Sequence, residues 1–411
     1  MYVVTNLNEQ KYPIKVWLSN EIEMEEECLM QAHNLSRLPF LHKWVALMPD
    51  THAGKGMPIG GVIATDGVII PNAVGVDIGC GMAFAQTNIE ARMLTETITK
   101  SGTLLQCIIG DILRNIPVGF NHHKGKQECK SADGALNNLD KYNFAPNLIP
   151  EIEDLYYQVG TLGGGNHFIE LQQDEDGYVC IMLHSGSRHL GHKICDYFHN
   201  AARELNKKWY SELPDEYRLA FLPVDTEEGQ AYISYMNMAL EFARENRERM
   251  MEMVKEIFTK WCDRTINCIV EYSNLINCHH NYAAIEHHYG KNVWVHRKGA
   301  IRARSGDLGI IPGSMGSYSY IVTGNGCEES FNSCSHGAGR QLSRTKARET
   351  YSVEEVMLDL KKTGVVLGKH NKSDVAEECR FSYKDIETVI ANELDLITVT
   401  KRLSTLGVVK G

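Results

Sequence analysis

The sequence predicts an α+β protein: a single large domain spanning 1–411, its mixed and antiparallel sheets forming a central core flanked by helices. Three observations predict it. Short β-branched runs broken by Gly, Pro and Asp gather in separate stretches, at 44–86, 166–184 and 292–324. Long helical patterns lie between those clusters without regular strand–helix–strand spacing, which argues against a doubly wound sheet. No low-complexity linker, internal repeat or charge block divides the 411 residues, although length alone would suggest two or three domains.

Taken in order, residues 20–37 read as a helix, with Asn20 as the N-cap ahead of acidic residues. Residues 44–86 read as several strands, 88–116 as helix and 117–149 as an irregular excursion. Strands return near 166–172 and 178–184. Gly191 to Leu213 is helical in pattern, and Glu227 to about Cys262 is a longer helix rich in Met, Ala, Leu, Glu and Arg. Its methionines at 236, 238, 250, 251 and 253 are expected to fill core. From 292 to 324 the chain reverts to strands, with turns at Lys298-Gly299 and Ser305-Gly-Asp307. From Ser352 it is helical again, and Ser352-Val-Glu-Glu355 matches a capping box.

A hydrophobic fraction of 43% and a charged fraction of 23% are ordinary for a globular protein in water. The least charged stretch, GGVIATDGVIIPNAVGVDIGCGMAFA, is interrupted by Gly, Pro, Asn and two Asp, so it is not a membrane span. No apolar segment follows a basic start, and twelve cysteines lack any Cys-x-x-Cys pair. A cytoplasmic location with reduced thiols is therefore expected. The net charge of −10 argues against non-specific coating of nucleic acid. It still permits a local basic channel. The candidate patches are His122 to Lys126, Arg297-Lys298 with Arg302 and Arg304, and Arg340 through Arg348.

Six segments place a polar residue near the end of a strand-like run, all but INCHHNY beside glycine: MPDTHAGKG (48–56), GVDIGCG (75–81), GGGNHFIE (163–170), LHSGSR (183–188), INCHHNY (276–282) and SCSHGAGR (333–340). Asp77 and Cys80 lie three apart on a glycine-rich turn, which can aim an oxygen and a sulfur at one cation. His167, His184 and His280 each adjoin an apolar run, where a histidine is more often a hydrogen-bonded core residue. All five together exceed the needs of one four-coordinate ion, and a thiolate can bridge, so a two-metal centre is the sharper reading. Thiolate and imidazole favour zinc; a carboxylate and a phosphate substrate suit manganese or magnesium. His336 is surrounded by donors instead. Glycine-rich backbone N–H groups can cradle a phosphate, Arg340 and Arg344 can clamp it, and an imidazole there can act as base or as nucleophile on phosphorus.

In order along the chain, MPDTHAGKG, GVDIGCGM, GTLGGGNHFIE, MLHSGSR, INCHHNY, HRKGAIRA, GIIPGSMG, SCSHGAGR and the terminal VVKG resemble the RtcB family of tRNA-splicing and RNA-repair ligases. The resemblance runs from about residue 45 to the end. It departs from the common family pattern in PDTHAG, where PDVHLG is usual, and in LGGGNHF, where LGTGNHF is usual; neither change removes a candidate ligand. The resemblance implies a GTP- and manganese-dependent ligase joining RNA ends with a 2′,3′-cyclic phosphate or 3′-phosphate to 5′-hydroxyl ends. It implies that Asp77, Cys80, His167, His184 and His280 hold two Mn²⁺ ions and that His336 becomes guanylylated. Asn166, Glu170, Ser314, Gly337, Ala338, Gly339, Tyr383 and Lys410 would surround the guanine nucleotide. Arg188, Arg297, Lys298, Arg340 and Arg344 are the candidates for RNA phosphates, and an archease-like activator is a possible partner. Two rivals stay open: a metal-dependent phosphodiesterase, which has no use for His336 or Lys410, and a non-catalytic RNA-binding or metal-stabilised protein.

Overall fold

The computed structural model describes residues 1–5, 10–20 and 24–411. Two large sheets carry the α+β architecture. One has six strands in the order Tyr2–Val4, Ile14–Val16, Leu41–His52, Ile59–Thr65, Lys291–Lys298 and Asn281–His288. The other has eight. Its path runs Tyr272–His279, Gly81–Glu90, Tyr178–Ser185, Phe168–Gln173, Ile397–Lys410, Ser319–Gly324 and Leu308–Ile311, with Val366–Gly368 beside Ile397–Lys410. Pairing is antiparallel except where Ile14–Val16 meets Leu41–His52 and Val366–Gly368 meets Ile397–Lys410, so the sheets are mixed, as expected.

Strand alternation divides the eight-stranded sheet into two faces. Val179, Ile181 and Leu183 join Ala83, Ala85, Ile169 and Leu171 in one core, with Leu104, Ile108, Ile109 and Ile112 of the helix Leu104–Asn115 packed on top. Cys180, Met182, Met82, Phe84 and Phe168 face the opposite way. His184, two residues beyond Met182, shares that second face.

The helix Glu227–Ile266 is capped by Thr226, whose hydroxyl accepts from the Gly229 N–H, and it ends at Asn267 in the left-handed region. Its buried stripe recurs every three to four residues and serves two cores in turn: Tyr232, Tyr235, Ala239 and Phe242 one, Met250, Val254, Phe258 and Cys262 the other. Met236, Met238, Met250 and Met251 are buried and Met253 packs at the edge.

Several boundaries differ from the expectation. The first helix is Glu26–Ser36 with Glu25 at its N-cap, not Asn20; residues 21–23 lie outside the described residues. The stretch 88–116 is not one helix. The strand Gly81–Glu90 runs into it, and a hairpin of Ile98–Thr99 with Gly102–Thr103 separates Ala91–Glu96 from Leu104–Asn115. Thr103 restarts the helix through a full capping box with Gln106. Residues 117–149 contain the helix Lys130–Leu136. The next long helix is Arg188–Lys208, closing before Leu213 because Tyr210 turns left-handed at φ 54°. Ser352 caps Val353–Thr363 as expected. The end of the chain does not stay helical: Ile397–Lys410 is a strand of 14 residues, stabilised by pairing on both sides. The sequence marks INCHHNY (276–282) as the end of a strand-like run; the structure extends this into the strands Tyr272–His279 and Asn281–His288, whose half-exposed, polar composition hides their bounds. No helix among the described residues is long and apolar enough to cross a membrane.

Candidate active site

Five neighbouring strands end at the same edge of the eight-stranded sheet. Their register sets His279 opposite Gly81, Ser185 opposite Gly81, and Phe168 opposite both His184 and Lys410. That edge therefore collects His280, Cys80, His184, His167 and Lys410 although they span 330 positions of chain. His280 is also the joint at which the chain leaves one sheet for the other. Its N–H donates to the Cys80 carbonyl at 2.8 Å, and its carbonyl accepts from Ala300 N–H at 3.1 Å. Asp77 reaches the edge on the loop before Cys80, pinned by Asn281 Nδ2 donating to its carbonyl at 3.0 Å. It comes so close to Gly186 that a Cβ there would stand 2.2 Å from Asp77 Oδ1; only glycine fits.

The donor atoms form a chain. Asp77 Oδ2 lies 3.1 Å from His167 Nε2, which is 3.4 Å from Cys80 Sγ. Cys80 Sγ is 3.2 Å from His184 Nε2, which is 3.3 Å from His280 Nε2. Ligand atoms of Cys80, His167 and His184 all lie within 4.8 Å of one another. His167 Nδ1 donates to the Leu162 carbonyl at 3.0 Å and His184 Nδ1 to the Asn166 carbonyl at 3.3 Å. These bonds leave both Nε2 atoms as lone-pair acceptors turned toward the Cys80 sulfur, with His167 Nε2 also against the Asp77 carboxylate. A cation resolves that arrangement, and the carbonyl-oriented imidazole is the usual way a ligand histidine is held. Burial keeps the imidazoles of His184 and His280 neutral, far below their ordinary range. Burial, reinforced by the Asp77 charge, raises the Cys80 thiol well above its ordinary value. A bound cation offsets that cost by taking the thiolate as ligand. The donor set thus fits metal ions.

His336 adjoins this cluster, its ring 4.7 Å from that of His280, centre to centre. It follows the short strand Ser333–Ser335, which pairs with Ala300–Arg302. Asp50, fully buried, accepts from the His336 N–H at 3.1 Å and from Nδ1 at 2.5 Å. Proton placement on Nδ1 leaves Nε2 as the free ring nitrogen. Behind the strand, fully buried Glu393 accepts from the N–H and hydroxyl of Ser335. Burial pushes its carboxyl up to about 8.

A cavity of about 670 Å³ joins these groups, a size suited to a nucleotide. Asp77, Cys80, His184, His280 and His336 line it, as do Asn166, Glu170, Ser314, Gly337, Ala338, Gly339, Arg340, Arg344, Tyr383 and Lys410. Glu170 accepts from Gln172 and Thr405, and burial lifts its carboxyl to about 7. Ser314 shares a 2.6 Å hydrogen bond with Ser317. On the far wall Glu378 accepts from Lys410 Nζ at 3.2 Å, Tyr383 hydroxyl at 2.7 Å and Arg340 Nη1 at 3.2 Å. Arg344 is half-exposed, 3.8 Å from Glu377 and Glu378.

Three basic residues expected at RNA phosphates stand elsewhere. Arg297 is fully buried and grips Glu286 with both terminal nitrogens. Lys298 borders the cavity, but its three N–H groups go to the carbonyls of Lys55, Met57 and Asn72. Arg188 turns inward to Thr161 and the Gly119 carbonyl. Each is the structural cation of a buried backbone junction, not a surface donor.

Four residues escaped the sequence reading. Asp50 sat in a quoted motif without a role; only the fold brings it to His336. Glu378 lies in an unremarkable AEEC segment. Glu393 likewise carries no local signal. Arg247 was legible in principle, because the three-to-four-residue period of the long helix puts it, with Asn246, on the buried stripe. It donates to the carbonyls of Gly79 and Ser185 at 2.8 and 2.9 Å, the residues beside Cys80 and His184.

A family model described as "RtcB: tRNA-splicing ligase RtcB" matches residues 31–411. Similar curated proteins include the RNA-splicing ligase RtcB of Escherichia coli K12, 39% identical over 420 residues, covering 98% of this chain and 99% of that one. The tRNA-splicing ligase RtcB of Methanococcus maripaludis is 33% identical, with 94% and 92% covered. The RNA-splicing ligase RtcB of Mycobacterium tuberculosis is 31% identical, with 93% and 100% covered.

Proposed function

The chain belongs to the RtcB family, and from that premise we propose that it is an RNA ligase acting in tRNA splicing or RNA repair. Its substrates are RNA ends carrying a 2′,3′-cyclic phosphate or 3′-phosphate and ends carrying a 5′-hydroxyl, and it consumes GTP. The observation that carries the reading is one juxtaposition: an imidazole with a free Nε2, oriented by a buried carboxylate, beside a five-donor cluster of which Asp77, Cys80, His184 and His280 line a nucleotide-sized cavity.

In this reading Asp77, Cys80, His167, His184 and His280 would hold two Mn²⁺ ions. Such ions supply positive charge for phosphoryl oxygens as negative charge accumulates during transfer. The chain's own residues do the rest. His336 Nε2 attacks the α-phosphorus of GTP, pyrophosphate leaves, and Asp50 steadies the ring as it takes on positive charge. The GMP then passes to the RNA 3′-phosphate, any cyclic phosphate having first been hydrolysed. The resulting RNA-3′-pp-5′-G anhydride gives the 5′-hydroxyl a good leaving group, GMP. Asn166, Glu170, Ser314, Gly337, Ala338, Gly339, Tyr383 and Lys410 seat the nucleotide. Arg340, with Glu378, orders that wall, and Arg344 at the rim meets an RNA phosphate. Residues 1–411 act as one catalytic domain, since the site draws on positions 50 to 410. A cytoplasmic location and an archease-like activator belong to the same reading.

Mass spectrometry after incubation with GTP and manganese tests it. The expected result is a GMP adduct mapped to His336 and absent from His336→Ala; an undiminished adduct in that variant overturns the nucleophile assignment. Cys80→Ala should lose metal and joining activity together. Full metal content in Cys80→Ala would reduce Cys80 to a packing residue.

A further inference from the structure

The basic run from His122 to Lys126 has no part in the cavity, yet it lies directly outside it. Phe120, at the head of this run, is fully exposed. A single exposed aromatic is commonplace on a protein surface. Here three further features accompany it.

The loop is fixed. Gly119 N–H donates to the Gly163 carbonyl at 2.8 Å, and Arg188 Nη2 to the Gly119 carbonyl at 2.9 Å. His123 and Gln127 N–H groups donate to the carbonyls of Tyr157 and Tyr156. The loop is also cationic. His122, Lys124 and Lys126 are exposed, with His122 3.8 Å from Asp154 and Lys126 set over the Tyr156 ring at 4.9 Å. Lys124 has no carboxylate partner among the described residues. Finally, the loop abuts the site through a single layer of glycines. Gly119 touches Gly163 and Gly164; a Cβ on Gly163 would meet the His167 ring at 2.8 Å, and one on Gly165 the Arg344 guanidinium at 2.7 Å.

Given the ligase reading, on which this rests, we infer that Phe120 and the cations of 122–126 form a stacking platform for single-stranded RNA just outside the reacting end. An exposed aromatic ring on a fixed backbone offers its face to any base, and adjacent cations follow the phosphates, which is how sequence-tolerant single-strand binding is built. The platform holds the strand and takes no part in nucleotide chemistry.

The test uses the full-length protein with a 3′-phosphorylated single-stranded RNA of about 15 nucleotides, measured by fluorescence anisotropy, alongside GMP-adduct formation. Phe120→Ala should weaken RNA binding roughly ten- to hundredfold, as expected for one lost base–ring stack, and leave adduct formation unchanged. Phe120→Trp should hold or tighten binding, whereas Phe120→Leu, apolar but without a π face, should behave like alanine. Lys124→Ala should lower the slope of log affinity against log salt by about 0.7, the share of one phosphate on a single strand. Wild-type affinity in both Phe120→Ala and Phe120→Leu overturns the platform and leaves this face to some other partner, while adduct formation in the same proteins stands or falls separately with the ligase reading.

Discussion

Replacing Asp50 by asparagine preserves the volume of the side chain and withdraws its charge. In the wild type one carboxylate oxygen accepts from both His336 N–H and Nδ1, while the other, Oδ1, has no hydrogen-bond partner among the described residues. An amide can sit in either of two ways. With its oxygen toward His336, the NH₂ occupies the Oδ1 position, where no acceptor waits; a buried unpaired donor costs about 1–3 kcal/mol. The charge-assisted bond to Nδ1 also becomes a neutral one, roughly half as strong. With the NH₂ toward His336, Nδ1 must become the acceptor and the proton moves to Nε2, which removes the nucleophilic lone pair. In another aspartate–histidine pair the same substitution costs about 10⁴ in rate through the wrong tautomer, on the order of 5 kcal/mol of barrier. Asp50→Asn should therefore slow single-turnover transfer of labelled GMP to the protein by about 10²–10⁴-fold, with metal content unchanged. A loss smaller than threefold, in a variant with native metal content, would refute the orienting role of Asp50 and weaken the case for His336 Nε2 as the attacking atom.

Arg247→Met should keep the helix packed but strand the carbonyls of Gly79 and Ser185. Removing such support for ligand-bearing backbone typically costs 10–100-fold in metal affinity, measurable by chelator competition; unaltered affinity would make Arg247 a mere filler. Glu393 supplies a pH prediction. Its folded carboxyl titrates at about 8, above the ordinary 4.5, so between those values the folded state retains a proton the unfolded chain has lost. Stability should fall as pH rises through that window, by an amount on the order of 5 kcal/mol if burial is complete. Glu393→Gln mimics the protonated form and should flatten the decline of the urea midpoint between pH 5 and pH 8.5; parallel curves for the two proteins would count against a protonated Glu393.

Elements with a strong local signature were legible in the sequence. The helix Glu227–Ile266 announces itself as a long run rich in Met, Ala, Leu, Glu and Arg, and Val353–Thr363 through its capping box. The strands at Phe168–Gln173 and Tyr178–Ser185 lie within two residues of expectation because each carries a short apolar run. Ile397–Lys410 was not legible, and of the pair around His280 only the strand-like end at INCHHNY was. Their stability comes from hydrogen-bonded neighbours hundreds of positions away, and their composition is that of any half-exposed segment.

The same division holds within the site. Histidines at the ends of strand-like runs, an Asp and a Cys three apart, and a histidine in a cradle of small residues mark candidate groups by residue type and spacing, and the roles given to them are what the RtcB resemblance implies. Sequence could nominate those groups because chemistry restricts which side chains can serve. It could not pair them. That Asp50 meets His336, that Glu378 gathers Lys410, Tyr383 and Arg340, and that Arg297 and Lys298 spend their donors on buried acceptors were decided only by the folded chain. Hydrogen bonds and ion pairs act over about 3 Å, and proximity on that scale between distant residues is a property of the folded chain.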